Sequence, residues 1–182
     1  MATKPKVNPK QSIIGLLKED SQFKDFRSIV TTIREALNLE KDKNEALQMQ
    51  ATRTSRRLYE NVASAKAVME ANLRDMSYRS RLTEIRVNLT SSSAILDEAI
   101  KSMRSYIQTQ YYDELSSYST VDAKRNMIDR VQKSALSLQA EIQSLLELLD
   151  FLIKDIDQTG FGLRNIVEVL KILDGTKPTR NI

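Results

Sequence analysis

The 182-residue chain has no cysteine, no histidine and no tryptophan, and only three prolines and four glycines. Without cysteine there can be no disulfide and no thiolate nucleophile or ligand. Without histidine the commonest metal ligand is missing, and so is the one side chain that titrates near neutrality unperturbed. From Leu16 to Thr159 there is neither glycine nor proline. A β-rich domain needs a turn every dozen residues or so, which excludes a sheet protein. No window reaches the roughly 18 apolar residues of a membrane span, and "MATKPKVNPKQ" lacks the apolar core of a signal peptide, so a soluble intracellular protein is expected. Glycine-rich phosphate loops and G-x-S-x-G are absent, and bundle metal sites usually draw on Glu-x-x-His. The paired acids Asp97-Glu98 and Asp113-Glu114 point to different helix faces. Neither enzyme activity nor a cofactor or metal is expected.

What remains is rich in Leu, Ile, Ala, Ser, Gln, Lys, Arg and Glu, a mix that suits long helices, and the fold class is all-α. Residues 1–10, with Pro5, Pro9 and three lysines, form a basic disordered arm. Short helices are expected over Gln11–Lys18 and Phe23–Leu39, the second with Phe26, Ile29, Val30, Ile33 and Leu37 on one face. "EKDKNE" (40–45) is a loop or an exposed turn of helix. Leu47, Ala51, Thr54, Leu58, Val62, Ala65, Met69, Leu73 and Met76 then make one narrow stripe. A second stripe of shifted phase holds Leu82, Ile85, Leu89, Leu96, Ile100, Met103 and Ile107. A kink or bundle turn fits either "DMSYRSR" (75–81) or "TSSS" (90–93).

"YYDELSSYSTVD" (111–122) is the best internal boundary, with Ser119 and Asp122 spaced as a capping box. Met127, Val131, Ala135, Leu138, Ile142, Leu145, Leu149, Leu152 and Ile156 follow as one stripe. Gly160 stands where a helix C-cap glycine is expected, before a last helix over roughly 161–173. The expected architecture is a helical bundle or coiled-coil-like array: arm 1–10, long-helix region 11–118, C-terminal helical hairpin 119–175 and tail 176–182. The last helix is apolar at Phe161, Leu163, Ile166, Val167, Val169, Leu170, Ile172 and Leu173, more than one face. A hairpin partner covers one side, and either a second subunit or another helix of a monomeric bundle covers the other; on the first reading these residues are the candidate oligomerisation surface.

Charge is strongly patterned. Residues 1–18 carry four lysines and no acid, residues 50–90 eight basic against four acidic side chains, and residues 134–158 one against five. Such asymmetry suggests a polyanionic partner. Arg53, Arg56 and Arg57 share one side of a helix, Arg74, Tyr78 and Arg81 fall at i, i+4 and i+7, and Arg79 adds to the same excess. Lys101 and Arg104 lie one turn apart, near Tyr106, Tyr111 and Tyr112. Cations that track phosphates beside rings that stack on bases are what single-stranded nucleic acid requires. The competing interpretation is a structural or scaffolding bundle whose charged stripes are its solvated faces.

"SLLELLDFLIKDIDQTGFGLRNIVEVLKILDG" (144–175) resembles the C-terminal part of the UvsY-type recombination mediators of T4-like phages. That family also has a Leu-Leu-Asp-Phe run, here Leu148–Phe151, and an Ile four residues before a Gly-Phe pair, here Ile156 and Gly160-Phe161. Gly162, Leu163, Arg164, Asn165 and Ile166 then match its small, aliphatic, basic, polar and Ile positions. Tyr111-Tyr112 before a polar linker is also similar, and Lys101 and Arg104 come nearest to the family's basic cluster. The likeness lies in the second half of the chain. It implies a ring-like homo-oligomer, assembled through C-terminal helices, that binds single-stranded DNA. Such a protein would promote recombinase loading and displace the single-strand-binding protein, in the cytoplasm of an infected bacterium.

Overall fold

The computed structural model describes residues 13–53 and 65–173, and every regular element among them is a helix. In chain order these are α1 (Ile13–Glu19), α2 (Ser21–Ala36), α3 (Leu39–Thr52), α4 (Ala65–Gln110), α5 (Tyr112–Ser116), α6 (Val121–Val131) and α7 (Lys133–Leu173). The all-α class follows from the missing breakers. No described helix is long and apolar enough to cross a membrane.

Side chains set the short helices' starts. Asp20 is extended (φ −72°, ψ 130°), and its Oδ1 accepts from the Phe23 amide at 3.0 Å, capping α2. Thr120 caps α6 in the same way, accepting from the Ala123 amide at 3.0 Å. The cap therefore lies one residue beyond the expected Ser119, at the residue that adopts an extended conformation. The long helices tolerate their hydroxyl residues because Thr83, Thr90 and Thr109 donate to the carbonyls of Arg79, Arg86 and Ser105, one turn back. "EKDKNE" lies within α3.

The chain divides into two units, each built from separate stretches, with borders at Asn38/Leu39, Thr90/Ser91 and Gln143/Ser144. α4 and α7 contribute to both, so this division differs from the expected border at 118/119. The Thr90/Ser91 border falls inside "TSSS", which forms uninterrupted helix.

In the first unit, Leu17, Phe26, Val30 and Ile33 of α1 and α2 are buried. So are Leu96, Ile100, Met103 and Ile107 of α4, and Met127, Ile128, Ala135, Leu138 and Ile142 of α6 and α7. Gln132, fully buried, separates α6 from α7 with φ −89° and ψ 9°, and its Nε2 donates to the Ile100 carbonyl at 2.8 Å.

In the second unit α4 buries Val68, Ala71, Asp75, Leu82, Ile85 and Leu89, a single stripe with no change of phase. This overturns the expected stripe through Leu47, Met69, Leu73 and Met76, all of which are exposed. Its members Thr54, Leu58 and Val62 lie outside the described residues. On α4 the reason is Asp75, an acid on the buried face that interrupts its apolar pattern, whereas Leu47 belongs to the separate helix α3, which ends at Thr52. No kink or turn forms at 75–81 or at 90–93.

α7 likewise corrects the expected hairpin, because it runs unbroken through Gly160 and Gly162. Two interior glycines cost roughly 2 kcal/mol relative to alanine. Ile166 and Val167, both partly buried, pack against the buried Val68 and Ala71, and this apolar contact offsets part of that cost. A turn at Gly160 would forfeit the contact.

Candidate nucleic-acid interface

Several cations of the basic middle pair with the chain's own carboxylates, and three of these, Asp150, Asp155 and Asp157, lie in its acidic segment. In the second unit Arg53 holds Asp75 through two hydrogen bonds of 3.3 and 3.2 Å and also pairs with Asp155. Burial works against its charge, and the two carboxylates outweigh burial, so the guanidinium pKa lies above the ordinary arginine value. Arg79 makes a bidentate pair with Asp157, at 2.6 and 3.2 Å. Arg81 does the same with Glu45, at 2.8 and 3.1 Å, and reaches Glu84 at 2.9 Å. Its pKa is raised by those hydrogen bonds, and Glu45 is held below the usual carboxylate range by Arg81. Arg86 pairs with Asp150.

Of the residues expected to meet DNA, Arg53, Arg79 and Arg81 are therefore engaged by carboxylates, and Arg74, exposed on α4, is not free of partners either. The Tyr78 hydroxyl lies 3.1 Å from that of Thr52. Arg56 and Arg57 lie outside the described residues.

The remaining two, Lys101 and Arg104, belong to the first unit. Lys101 is exposed, and Arg104 donates to Asp129 at 2.5 Å. Lys101, Arg104 and Gln108 follow at i, i+3 and i+7 along one face of α4. α6 presents Val121, Lys124, Arg125 and Ile128 at i, i+3, i+4 and i+7. Where these faces meet α5 there is a recess of about 330 Å³, lined by Arg104, Gln108, Tyr112, Leu115, Val121, Lys124, Arg125 and Ile128. Its lining has three cations and no carboxylate. Leu115 and Ile128 are buried, Tyr112 is exposed, and the buried Arg104 Nε has no partner. The sequence alone does not mark Lys124 and Arg125 as part of a site. Their signal is a basic pair just after a cap, but only the tertiary fold brings it to Arg104.

The other two tyrosines do not serve as stacking platforms. Tyr106 and Tyr111 each donate a hydroxyl hydrogen to Asp20 Oδ2 at 2.7 Å, their rings edge to face at 6.3 Å. Burial opposes the Asp20 charge, yet these bonds and the Phe23 amide hold its pKa below the ordinary aspartate value. Asp20 raises the pKa of Tyr106, and burial with Asp20 raises that of Tyr111.

On the C-terminal part of α7, Ile166 and Val167 are half-buried against the chain's own α4. Phe161, Val169 and Ile172 are exposed and share a face with exposed Phe151. The side chains of Leu163, Leu170 and Leu173 lie outside the described residues. Among the described residues no group of three or more acidic side chains is placed to hold a metal ion. The chain matches no protein-family model, and comparison with curated proteins and with solved structures gives no match.

Proposed function

We propose that the chain is a self-associating single-stranded-DNA-binding protein that acts as a recombination mediator, helping to load a recombinase and displace the single-strand-binding protein. The observation supporting DNA binding is the grouping of Arg104, Lys124 and Arg125 around exposed Tyr112, with Lys101 one turn away. Cations at this spacing follow a phosphate backbone, and the tyrosine offers a face to any base. The mediator role comes from the C-terminal resemblance, and the exposed face of Phe151, Phe161, Val169 and Ile172 supplies the surface for self-association. A second reading, a scaffold with no nucleic-acid role, is favoured by the pairing of Arg53, Arg79, Arg81 and Arg86 with carboxylates.

Fluorescence anisotropy of a labelled oligothymidylate against salt tests the proposal. Three phosphate contacts give a log–log slope of about −2 per protomer, at roughly −0.7 per contact for single strands. Absence of binding at low salt would transfer the assignment to the scaffold.

A further inference from the structure

We infer that the recess between α4, α5 and α6 is a site for a nucleoside monophosphate group, its phosphate among Arg104, Lys124 and Arg125 and its base on Tyr112. The inference rests on the single-strand reading and names the part of a nucleic acid that the recess takes. Three cations line it, and Asp129 already engages one, Arg104. Two positive charges remain, and they match a phosphomonoester, which carries about −1.5 to −2 at neutral pH. A phosphodiester inside a strand carries only one negative charge.

Size and lining point the same way. About 330 Å³ is at the small end of ligand sites, which run from about 300 to 1,000 Å³. It suits one nucleotide rather than a run of them. Buried Leu115 and Ile128 give an apolar floor, and the Tyr112 ring stands beside it for stacking. Gln108, one turn from Arg104, brings both a donor and an acceptor to a base edge. The same chemistry is found in a free nucleoside monophosphate and in the 5′-phosphorylated end of a strand.

The test uses the full chain with three probes: a short oligothymidylate carrying a 5′-phosphate, the same strand without it, and thymidine monophosphate. The 5′-phosphate is expected to tighten binding about tenfold, as two or three charge-assisted hydrogen bonds allow. Thymidine monophosphate should compete for that advantage if the recess accepts the free nucleotide, and should fail if only a strand end fits. Lys124→Ala with Arg125→Ala should abolish the advantage, whereas Arg130→Ala, an exposed cation of α6 outside the recess, should preserve it. Tyr112→Ala should weaken nucleotide binding without changing the circular dichroism melt, and it covers the case in which the double variant fails to fold. Equal binding of the two strands with no nucleotide competition overturns the inference and leaves DNA binding standing. Binding of neither strand overturns the single-strand reading; direct titration with the nucleotide then decides the recess, saturable Tyr112-dependent binding upholding it and none overturning it. Inorganic phosphate binding as tightly as the nucleotide overturns the role of Tyr112.

Discussion

Asp75 lies on the buried face of α4 and holds Arg53 with both carboxylate oxygens, the two side chains only 6% and 10% exposed. Removing one partner of such a pair leaves a charge with too little solvation. Asp75→Ala should therefore lower unfolding stability by about 2–3 kcal/mol, moderated because Arg53 keeps Asp155. Arg53→Met with Asp75→Leu should recover most of that loss in urea denaturation. A loss below about 0.5 kcal/mol for Asp75→Ala would show that the pair contributes little.

Gly160 gives the plainest test of α7. Its added Cβ would meet only Asn72 Oδ1, at 3.9 Å, an ordinary contact. In a continuous helix Gly160→Ala should stabilise by about 0.5–1 kcal/mol. At a hairpin cap requiring the left-handed conformation, the same change would destabilise. Thermal melts of the two proteins read the sign directly.

Pairing within the second unit makes an unusual forecast for DNA affinity. Arg79→Ala with Arg86→Ala should change it little, because both side chains are already engaged by Asp157 and Asp150. Asp150→Asn with Asp157→Asn should release those arginines, raising affinity and steepening the salt slope by about one to two units. Unchanged binding in the second variant would mean that the released cations do not reach the strand.

Asp20 makes stability depend on pH at both extremes. Its folded pKa is lowered, so its contribution is full above the ordinary aspartate value of 3.8 and is lost as acid takes the pH below that. The folded pKa of Tyr106 is raised, so its contribution is full below 10.0 and is lost as the pH climbs beyond it. Melting temperature should fall at both ends. Tyr106→Phe should flatten the alkaline limb more than the acid one, and an unaltered alkaline limb would contradict the arrangement.

Self-association should depend on the exposed face of α7. Phe161→Asp with Ile172→Asp alters side chains that are 68% and 63% exposed, so the helical content should survive. Light scattering should report a smaller particle. An unchanged mass would place the interface elsewhere.

Periodicity located much of the core. Every member of the Leu82–Ile107 stripe is buried, and so is every member of the Met127–Ile156 stripe except half-buried Val131. Apart from buried Gln132 at the junction of α6 and α7 these faces are apolar, so pattern alone identifies them. It failed at Asp75, where a salt bridge buries a charge, and at Gly160, where tertiary contact opposes helix propensity. The oppositely charged segments were visible too. That they pair with each other depends on α4 lying beside α7 in the second unit, and the link from Lys124 and Arg125 to Arg104 depends on the fold of the first.

The bonds that Asp20 accepts from Tyr106 and Tyr111 span 86 and 91 residues of sequence. The Arg53–Asp155 pair spans 102. At translation rates of about 5–20 residues per second, α1 and α2 wait on the order of 5–20 s after leaving the ribosome for the tyrosines that secure them. Arg53 waits as long for Asp155. During synthesis, then, α1 and α2 have each other but not these distant partners until more than half of the polypeptide has been made.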